Sequence, residues 1–436
     1  MISNIIFTIC LGTGIYLFTR KIKEIIRNIQ LGQDINRNDH PAERWKTMAR
    51  VALGQSKMLS RPVPAFFHLL IYVGFVIINI EVLEIIIDGV FGTHRVLAFM
   101  GGFYNFLIGS FEWLAVGVLA ACVVFLARRN ILKLKRFTMR EMTSWPRSDA
   151  NIILIVEIFL MTAFLLMNAS DAILQTRGPE HYISAGAFPV SSMLQPMING
   201  MNTDSLLFLE RFCWWFHIIG ILAFLNYVPY SKHFHILLAF PNTYYSNLNP
   251  KGEFTNMESV TNEVKLMMDP TAIAPPAPDQ PQRFGAKDVK DLSWKQLMDA
   301  YSCTECGRCT SVCPANITGK LLSPRKIMMD TRDRLEETGK SINQHGKDFD
   351  DGKSLLNDYI SPEELWACTT CNACTEACPV NIDPLSIIVD MRRYLVMEQS
   401  SAPTELNGMF SKIENNGAPW QFSPVDRLNW ATEENN

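Results

Sequence analysis

Two cysteine runs constrain this chain more than any other feature of its sequence. Each reads C-x2-C-x2-C-x3-C-P, the spacing of bacterial ferredoxins that hold two [4Fe–4S] clusters. Three thiolates of a run bind one cluster, and the fourth cysteine of such a run binds the other. The spacing therefore predicts two crossed ligand sets, which are Cys303, Cys306, Cys309 and Cys378 for cluster 1 and Cys368, Cys371, Cys374 and Cys313 for cluster 2.

Zinc sites and disulfide bonds are the alternative interpretations of these eight cysteines. The proline that ends each run and the repetition of the run both favour iron–sulfur clusters. Eight thiolates committed to clusters also predict a reducing compartment for the C-terminal half. The remaining cysteines, Cys10, Cys122 and Cys213, lie singly in apolar stretches, where we expect them to be small buried apolar residues.

The first half of the chain contains five apolar stretches long enough to cross a bilayer of about 30 Å. A soluble protein would not carry five such stretches in 230 residues. The basic residues that follow the first stretch, rather than precede it, predict a membrane anchor and not a cleaved signal peptide. The predicted spans are Ile2–Phe18, Pro62–Ile87, Tyr104–Ala127, Ala150–Ser170 and Leu206–Tyr230.

The distribution of lysine and arginine predicts how these spans are oriented. Ten basic residues lie between Arg20 and Arg61, and seven lie between Arg128 and Arg147. The other two loops contain one basic residue each. Because positive loops stay in the cytoplasm, we expect the N-terminus outside and everything after Tyr230 inside. This places the cysteine runs in the reducing compartment, in a bacterial or archaeal cytoplasmic membrane.

Two histidines lie within predicted spans, His68 in the second and His217 in the fifth. A histidine in a spanning helix is costly and is by default a functional candidate. Two of them on different helices can bind a haem iron from opposite faces, although helix–helix hydrogen bonding is the alternative. His233 and His235 follow the fifth span as haem ligands or interfacial residues. We expect solvated side chains at the loop histidines, which are His40, His94, His181 and His345.

Glu112 and Glu157 are carboxylates within the third and fourth predicted spans. Intramembrane carboxylates relay protons in many transport and redox proteins. Each is therefore a candidate for a proton path linked to a quinone, and a hydrogen bond to a neighbouring helix is the alternative for each.

At these residues the first 240 positions resemble the cytochrome b subunit of respiratory nitrate reductase. In that family the fifth helix carries two haem-ligating histidines eighteen residues apart, the spacing of His217 and His235 here. The second helix carries two histidines ten residues apart, and His68 matches the inner one. The resemblance implies that His68 and His217 hold a haem b far from the cytoplasm and that His235 ligates a nearer one. The nearer haem is absent or has a further ligand, which would be Met58, His40 or His233.

The second half is polar and predicted to be helical around the two clusters. A proline-rich segment from Pro270 to Gly285 predicts an extended linker. Ser323 and Gly339 predict the two ends of one helix, and Ser361 with Glu364 predicts the start of another. The predicted fold is thus mostly α, with a transmembrane bundle at 1–240, a linker at 241–287, a helical ferredoxin domain at 288–400 and a polar tail at 401–436.

Residues 288 to 398 resemble the ferredoxin-like C subunit of heterodisulfide reductases, through the eight cysteines. They are similar also to the cluster domains of glycolate oxidase and anaerobic glycerol-3-phosphate dehydrogenase. Those enzymes carry Cys-Cys-Gly motifs, and this sequence contains no adjacent cysteine pair. The resemblance therefore implies that a site of that kind lies on a partner.

Together these features predict an oxidoreductase subunit that passes electrons between a cytoplasmic partner and quinone, with menaquinone as the substrate that the resemblance implies. The partner would be a dehydrogenase or an electron-transfer flavoprotein. A subunit that carries Cys-Cys-Gly motifs or a flavin would connect it to this chain. Two alternatives are a quinol-oxidising arm of a disulfide or sulfur-compound reductase and a haem-free membrane-anchored ferredoxin. No basic patch interleaved with aromatic residues predicts nucleic-acid binding.

Overall fold

Helices form the regular structure of the described part of the chain, which comprises residues 1–179, 181–269, 271, 273, 283–421 and 423–433. In this computed structural model, strand pairing within those ranges is limited to isolated bridges. The helices are α1 Ile2–Ile29, α2 Pro41–Met48, α3 Pro62–Phe91, α4 Gly102–Asn130, α5 Ser144–Arg177, α6 Gln195–Ile198, α7 Thr203–Tyr227, α8 His235–Tyr244, α9 Glu258–Met268, α10 Trp294–Ser302, α11 Arg308–Val312, α12 Pro314–Ile317, α13 Pro324–His345, α14 Leu355–Asp358, α15 Pro362–Trp366, α16 Ala373–Ala377, α17 Pro384–Met397, α18 Thr404–Asn416 and α19 Asn429–Glu433.

Five of these helices are long and apolar enough to cross a membrane, as predicted. They are α1, α3, α4, α5 and α7, the last continued by a short turn to Tyr230. Each covers its predicted span, and α1 is eleven residues longer than predicted. The additional turns of α1 bury Lys21, Ile25 and Asn28 against the C-terminal half, so this helix connects the bundle to the second domain.

The C-terminal domain packs α10, α13 and α17 around the cysteine loops. Capping boxes at Ser293 and Ser361 start two of its helices, the second as predicted. The predicted stop at Gly339 is wrong, because α13 continues to His345. A Cβ atom at Gly339 would lie 2.5 Å from the Asn28 side chain of α1, so this glycine permits a close helix crossing.

One continuous core joins the two domains. Ile25 and Val228 from the membrane unit pack in the same apolar cluster as Leu297 and Ile327 of the ferredoxin domain. Asn28 Nδ2 donates to the Tyr301 hydroxyl at 2.9 Å across this contact. The domains are therefore docked on one another rather than held apart by the predicted linker.

The predicted linker and tail also contain helices. α8 and α9 lie between residues 235 and 268, and α18 and α19 lie in the tail. The proline-rich part of the predicted linker falls largely outside the described residues, at 270, 272 and 274–282.

Candidate functional site

The two cysteine runs fold as equivalent loops. In each, the third cysteine lies in a short helix, α11 or α16, and the fourth ends it with nearly the same backbone angles. Gly307 and Asn372 occupy matching positions before these helices, with φ of 69° and 58°. This left-handed backbone turns the loop sharply, and α11 packs against α16. The two runs thus lie side by side.

The thiols form two neighbouring groups that alternate between the runs. Burial raises the pKa of Cys309 well above its ordinary value, and negative charge on Cys306, Cys303 and Cys378, and last on Cys374 of the neighbouring group, raises it further. Burial and then Cys306 raise the pKa of Cys378 to about 12. The cysteine neighbours of Cys368 are instead Cys313 and Cys371, so the fourth cysteine of each run faces the other run.

This grouping is the one that crossed ligation requires, and the ligand sets themselves stay a prediction. All eleven cysteines, each within the described ranges, are unbridged. Among the described residues, no three histidine, cysteine, aspartate or glutamate side chains converge on one metal position. A cubane has no such requirement, because each of its four irons binds a separate thiolate.

Backbone amides point at the sulfur atoms of both groups. The amide of Ile382 donates to Cys378 Sγ at 3.3 Å, and the amide of Thr370 donates to Cys368 Sγ at 3.4 Å. Hydrogen bonds of this type stabilise negative charge on a thiolate and help to set a cluster's potential.

The first group of thiols lies against the membrane unit. Lys57, in the loop that precedes α3, donates from Nζ to the carbonyl of Cys378 at 3.2 Å. Arg308 of the cysteine loop donates in return to the carbonyl of Lys57 at 3.2 Å and contacts Met58 Sδ. In the second group Cys371 is exposed to solvent. Cluster 1 would thus lie beside the membrane unit, and cluster 2 would lie near the solvent-exposed surface.

An ion triad centred on the buried Glu305 fixes the first loop to the membrane unit, and nothing in the sequence pattern indicated it. Glu305, between two cluster ligands, contacts Lys232 at 2.5 Å and Arg332 at 2.8 Å. Burial alone would raise the pKa of Glu305, but the charges of Arg332 and Lys232 outweigh it and leave the pKa lowered.

The structure brings His68 together with His235 near the ferredoxin domain. Their ring centroids are 6.4 Å apart, and His233 lies beside His235 at 5.6 Å. His235 is not on the fifth spanning helix, because it begins α8 after that helix has ended. Metal–imidazole bonds are about 2 Å long, so two imidazoles on opposite sides of one iron have centroids roughly 6 Å apart. The His68–His235 pair has this spacing.

Hydrogen bonds leave one ring nitrogen of each histidine available for a metal. His235 Nδ1 bonds the Lys232 carbonyl at 3.0 Å, and His68 Nδ1 bonds Gln55 Oε1 at 3.1 Å. A carbonyl oxygen only accepts, so Nδ1 carries the hydrogen and a neutral ring keeps Nε2 as a ligand. Such a bond to the second nitrogen is typical of metal-binding histidines.

His217 lies deeper in the bundle than His68. It is thirteen residues from the end of its span, about 20 Å, whereas His68 is six residues from the start of α3, about 9 Å. Its Nδ1 bonds the Leu160 carbonyl at 3.0 Å and its ring contacts Phe164. The depth difference of about 10 Å and the closeness of His235 disfavour the pairing of His68 with His217 that the resemblance implied.

The two predicted proton-path glutamates have different surroundings. Glu112 is fully buried and accepts from the amides of Val190 and Ser191 at 2.8 and 3.1 Å. These bonds fix the segment of Val190 and Ser191 to the third spanning helix, and the part of Glu112 in a proton path stays a prediction. Glu157 makes no hydrogen bond with any described residue and is half-buried on α5.

The expectation of a solvated side chain is wrong for His94. Its ring is largely buried, and Nε2 lies 3.1 Å from Asp171. Asp171 also binds Arg95 at 2.6 Å. These residues belong to a polar network at the end of the bundle farthest from the ferredoxin domain. No local sequence pattern indicates this network, because Asp171 is 77 and 76 residues from the adjacent His94 and Arg95.

Comparison with known proteins identifies the cysteine domain. Residues 302–382 match the family model of the 4Fe-4S dicluster domain. The "Probable iron-sulfur-binding oxidoreductase FadF" of Bacillus subtilis is 29% identical, over 99% of this chain and 61% of its own length. The "EtfAB:quinone oxidoreductase" of Syntrophomonas wolfei is 27% identical, over 92% and 55%. No solved structure matches.

A third relative is similar to the ferredoxin region alone. It is the C subunit of the ferredoxin/F(420)H(2)-dependent CoB-CoM heterodisulfide reductase of Methanosarcina acetivorans, 34% identical over 27% of this chain and 60% of its own length. The predicted likeness to this type of protein is therefore confirmed for the C-terminal half. The chain spans about three fifths of the length of the curated relatives it matches.

Proposed function

We propose that this chain carries electrons between a redox partner and quinone in a bacterial or archaeal cytoplasmic membrane, as part of a membrane-bound oxidoreductase. The dicluster domain, the five apolar helices and the relatives named as oxidoreductases support this function. Iron–sulfur clusters and haem b supply one-electron carriers when bound. Quinone chemistry takes up two electrons and two protons, so a chain of one-electron carriers and a proton path are both needed.

The order of the sites carries this proposal. The thiol group that includes the exposed Cys371 lies beside the group that includes Cys378. Cys378 contacts the loop of Lys57, and Gln55 in the same loop contacts His68. These contacts connect the thiol group of Cys371, through that of Cys378 and the loop before α3, with His68, and they support a path for electrons in this order. Lys57 holds the cluster loop in place, and Gln55 orients the imidazole of His68.

His68 and His235 are the residues that would hold haem b. The spacing of the two rings supports this assignment, and so do the Nε2 atoms that their Nδ1 hydrogen bonds leave available. His217 has the same type of Nδ1 bond and is the candidate for a second haem. Met58 Sδ contacts Arg308 of the cluster loop, and Met58 as a further haem ligand stays a prediction.

The direction of electron flow that we propose is from the partner to menaquinone. The likeness over 92% of the chain to a protein named EtfAB:quinone oxidoreductase favours an electron-transfer flavoprotein or a dehydrogenase as donor, with any Cys-Cys-Gly site on another segment or subunit. The second candidate is a quinol-oxidising arm of a disulfide reductase. The likeness of the ferredoxin domain to the C subunit of a heterodisulfide reductase favours it.

The first experiment is the haem-to-protein ratio of the detergent-purified chain, from the reduced pyridine haemochrome, with iron measured on the same sample. A ratio near one supports the His68–His235 site, and a ratio near two adds a site at His217. A ratio near zero in protein with full clusters would contradict the haem proposal and leave a membrane-anchored ferredoxin. Reoxidation of the dithionite-reduced chain by menadione, after removal of excess dithionite, then tests electron transfer to quinone.

A further inference from the structure

A polar cavity of about 250 Å³ lies in the bundle at the end farthest from the ferredoxin domain. We call it the distal cavity. Residues of α1, α3, α5 and α7 and of the loops after α3 and α5 line it. Its charged and titratable residues are Glu81, Glu84, Asp88, His94, Arg95, Asp171, His181, Glu210 and Arg211.

Hydrogen bonds satisfy most carboxylates of the distal cavity. Glu84 accepts from the amide of Leu97 at 2.9 Å and from the hydroxyl of Tyr104 at 2.8 Å. Asp88 accepts from the amide of Arg95 at 2.7 Å. These groups fix loops and helix ends, so their polar side chains have a structural explanation.

Glu81 is the exception among these carboxylates. It is 3% exposed, and its Oε2 has no hydrogen-bond partner among the described residues. Its Oε1 is 3.9 Å from Arg95, too far for a hydrogen bond. His94 Nδ1, at the same cavity, likewise lacks a partner within the described ranges. A buried polar atom without a partner is costly, and two of them at one cavity indicate that the cavity holds water.

The size and lining of the cavity fit water rather than a quinone ring. A volume of 250 Å³ corresponds to roughly eight waters at about 30 Å³ each. Pockets for small organic ligands begin at about 300 Å³ and are mostly apolar, whereas this one is lined by charges of both signs.

The inner end of the distal cavity leads toward His217. Trp214 lines the cavity, and Glu210, Trp214 and His217 recur at the spacing of one face of α7. All three are buried. His217 therefore lies about one helical turn, roughly 5 Å, beyond the cavity lining.

We propose that the distal cavity exchanges protons between water and the membrane interior, with Glu81 as the group that binds and releases them. This inference rests on the proposed function. For each quinone that takes up two electrons, two protons leave the Glu81 carboxyl group one after the other, and each ends in an O–H bond of the quinol. After each release the carboxylate is protonated again by hydronium that reaches the cavity from the water outside, and quinol oxidation reverses these steps. The groups that face Glu81 from the surrounding elements are Glu84, Arg95, Glu112 and Asp171, with Glu210 and Arg211 across the cavity.

Glu81→Gln tests this proposal in the full chain, with Glu84→Gln as the matched control, since Glu84 lies one turn away and both of its oxygens are bonded. Infrared difference spectra between two pH values should show a carboxyl C=O band that is lost in Glu81→Gln and kept in Glu84→Gln. Proton uptake after reduced protein is mixed with menadione, followed with a pH dye, should slow at least about tenfold in Glu81→Gln alone.

Two results would overturn the proposal. One is proton uptake by Glu81→Gln at the unmodified rate, and the other is the absence of any carboxyl band that depends on Glu81. Cluster and haem spectra of Glu81→Gln should be unchanged, which excludes a folding defect. If the unmodified chain passes no electrons to menadione, the proposed function fails, and the infrared titration still decides whether Glu81 exchanges protons with water.

Discussion

Replacing Cys378 by alanine tests whether each cluster is ligated across the two runs. Cys378 is ten residues from Cys368 in the chain, yet its thiol neighbour in space is Cys306 of the other run. Cys378→Ala should therefore remove one of the four ligands of cluster 1 and leave the ligands of cluster 2 complete. Since each cluster contains four irons, the iron content should fall from about eight to about four per chain.

The assay is paramagnetic resonance of the dithionite-reduced protein, with iron measured on the same samples. Cys306→Ala belongs to the same predicted set and should erase the same signal as Cys378→Ala, whereas Cys371→Ala should erase the other signal. Cys213→Ala, at a buried cysteine outside both runs, should keep both signals and about eight irons. If the spectrum of Cys378→Ala matches that of Cys371→Ala instead, each run ligates its own cluster and the crossed sets are wrong.

Two further predictions follow from the histidine pair and the ion triad. His235→Ala should lose most of the haem in the pyridine haemochrome assay, whereas His217→Ala should keep the haem of the His68–His235 pair. The reverse result would favour the pairing of His68 with His217 that the resemblance implied. Glu305→Gln should lower the free energy of unfolding by about 3–5 kcal/mol, because Lys232 and Arg332 lose the carboxylate that pairs with both in a buried site. Guanidinium unfolding followed by cluster absorbance checks this, and an unchanged midpoint would show that the triad is not stabilising.

The parts of the molecule that the sequence predicted are those whose signal is local in the chain. The four cysteines of each run fall within eleven residues, so their spacing alone specifies a cluster loop. The five spans follow from hydropathy, because a helix in a bilayer must be apolar over its whole length. Both predictions are independent of how the helices pack.

The histidine pair and the distal cavity depend on packing and were not predictable in the same way. The resemblance implied one helix that carries both His217 and His235, but the fifth span ends at Tyr230, as predicted, and the chain continues into α8, where His235 lies near His68. Glu81 lies near the polar end of an apolar span, where a carboxylate would ordinarily reach water directly. Its burial results from contact among four helices, which no periodicity in one segment reveals.

The docked position of the ferredoxin domain matters for electron transfer in its own right. A ferredoxin held only by a flexible linker would have to find the membrane unit by diffusion before each transfer. Here Gly339 lets α13 approach Asn28 of α1, and the Glu305–Lys232 contact fixes a cysteine loop beside the bundle. The two domains share one close-packed core. This packing therefore fixes the distance between the first thiol group and His68. Electron transfer across this interface should therefore be insensitive to changes in the proline-rich segment and sensitive to a larger residue at Gly339.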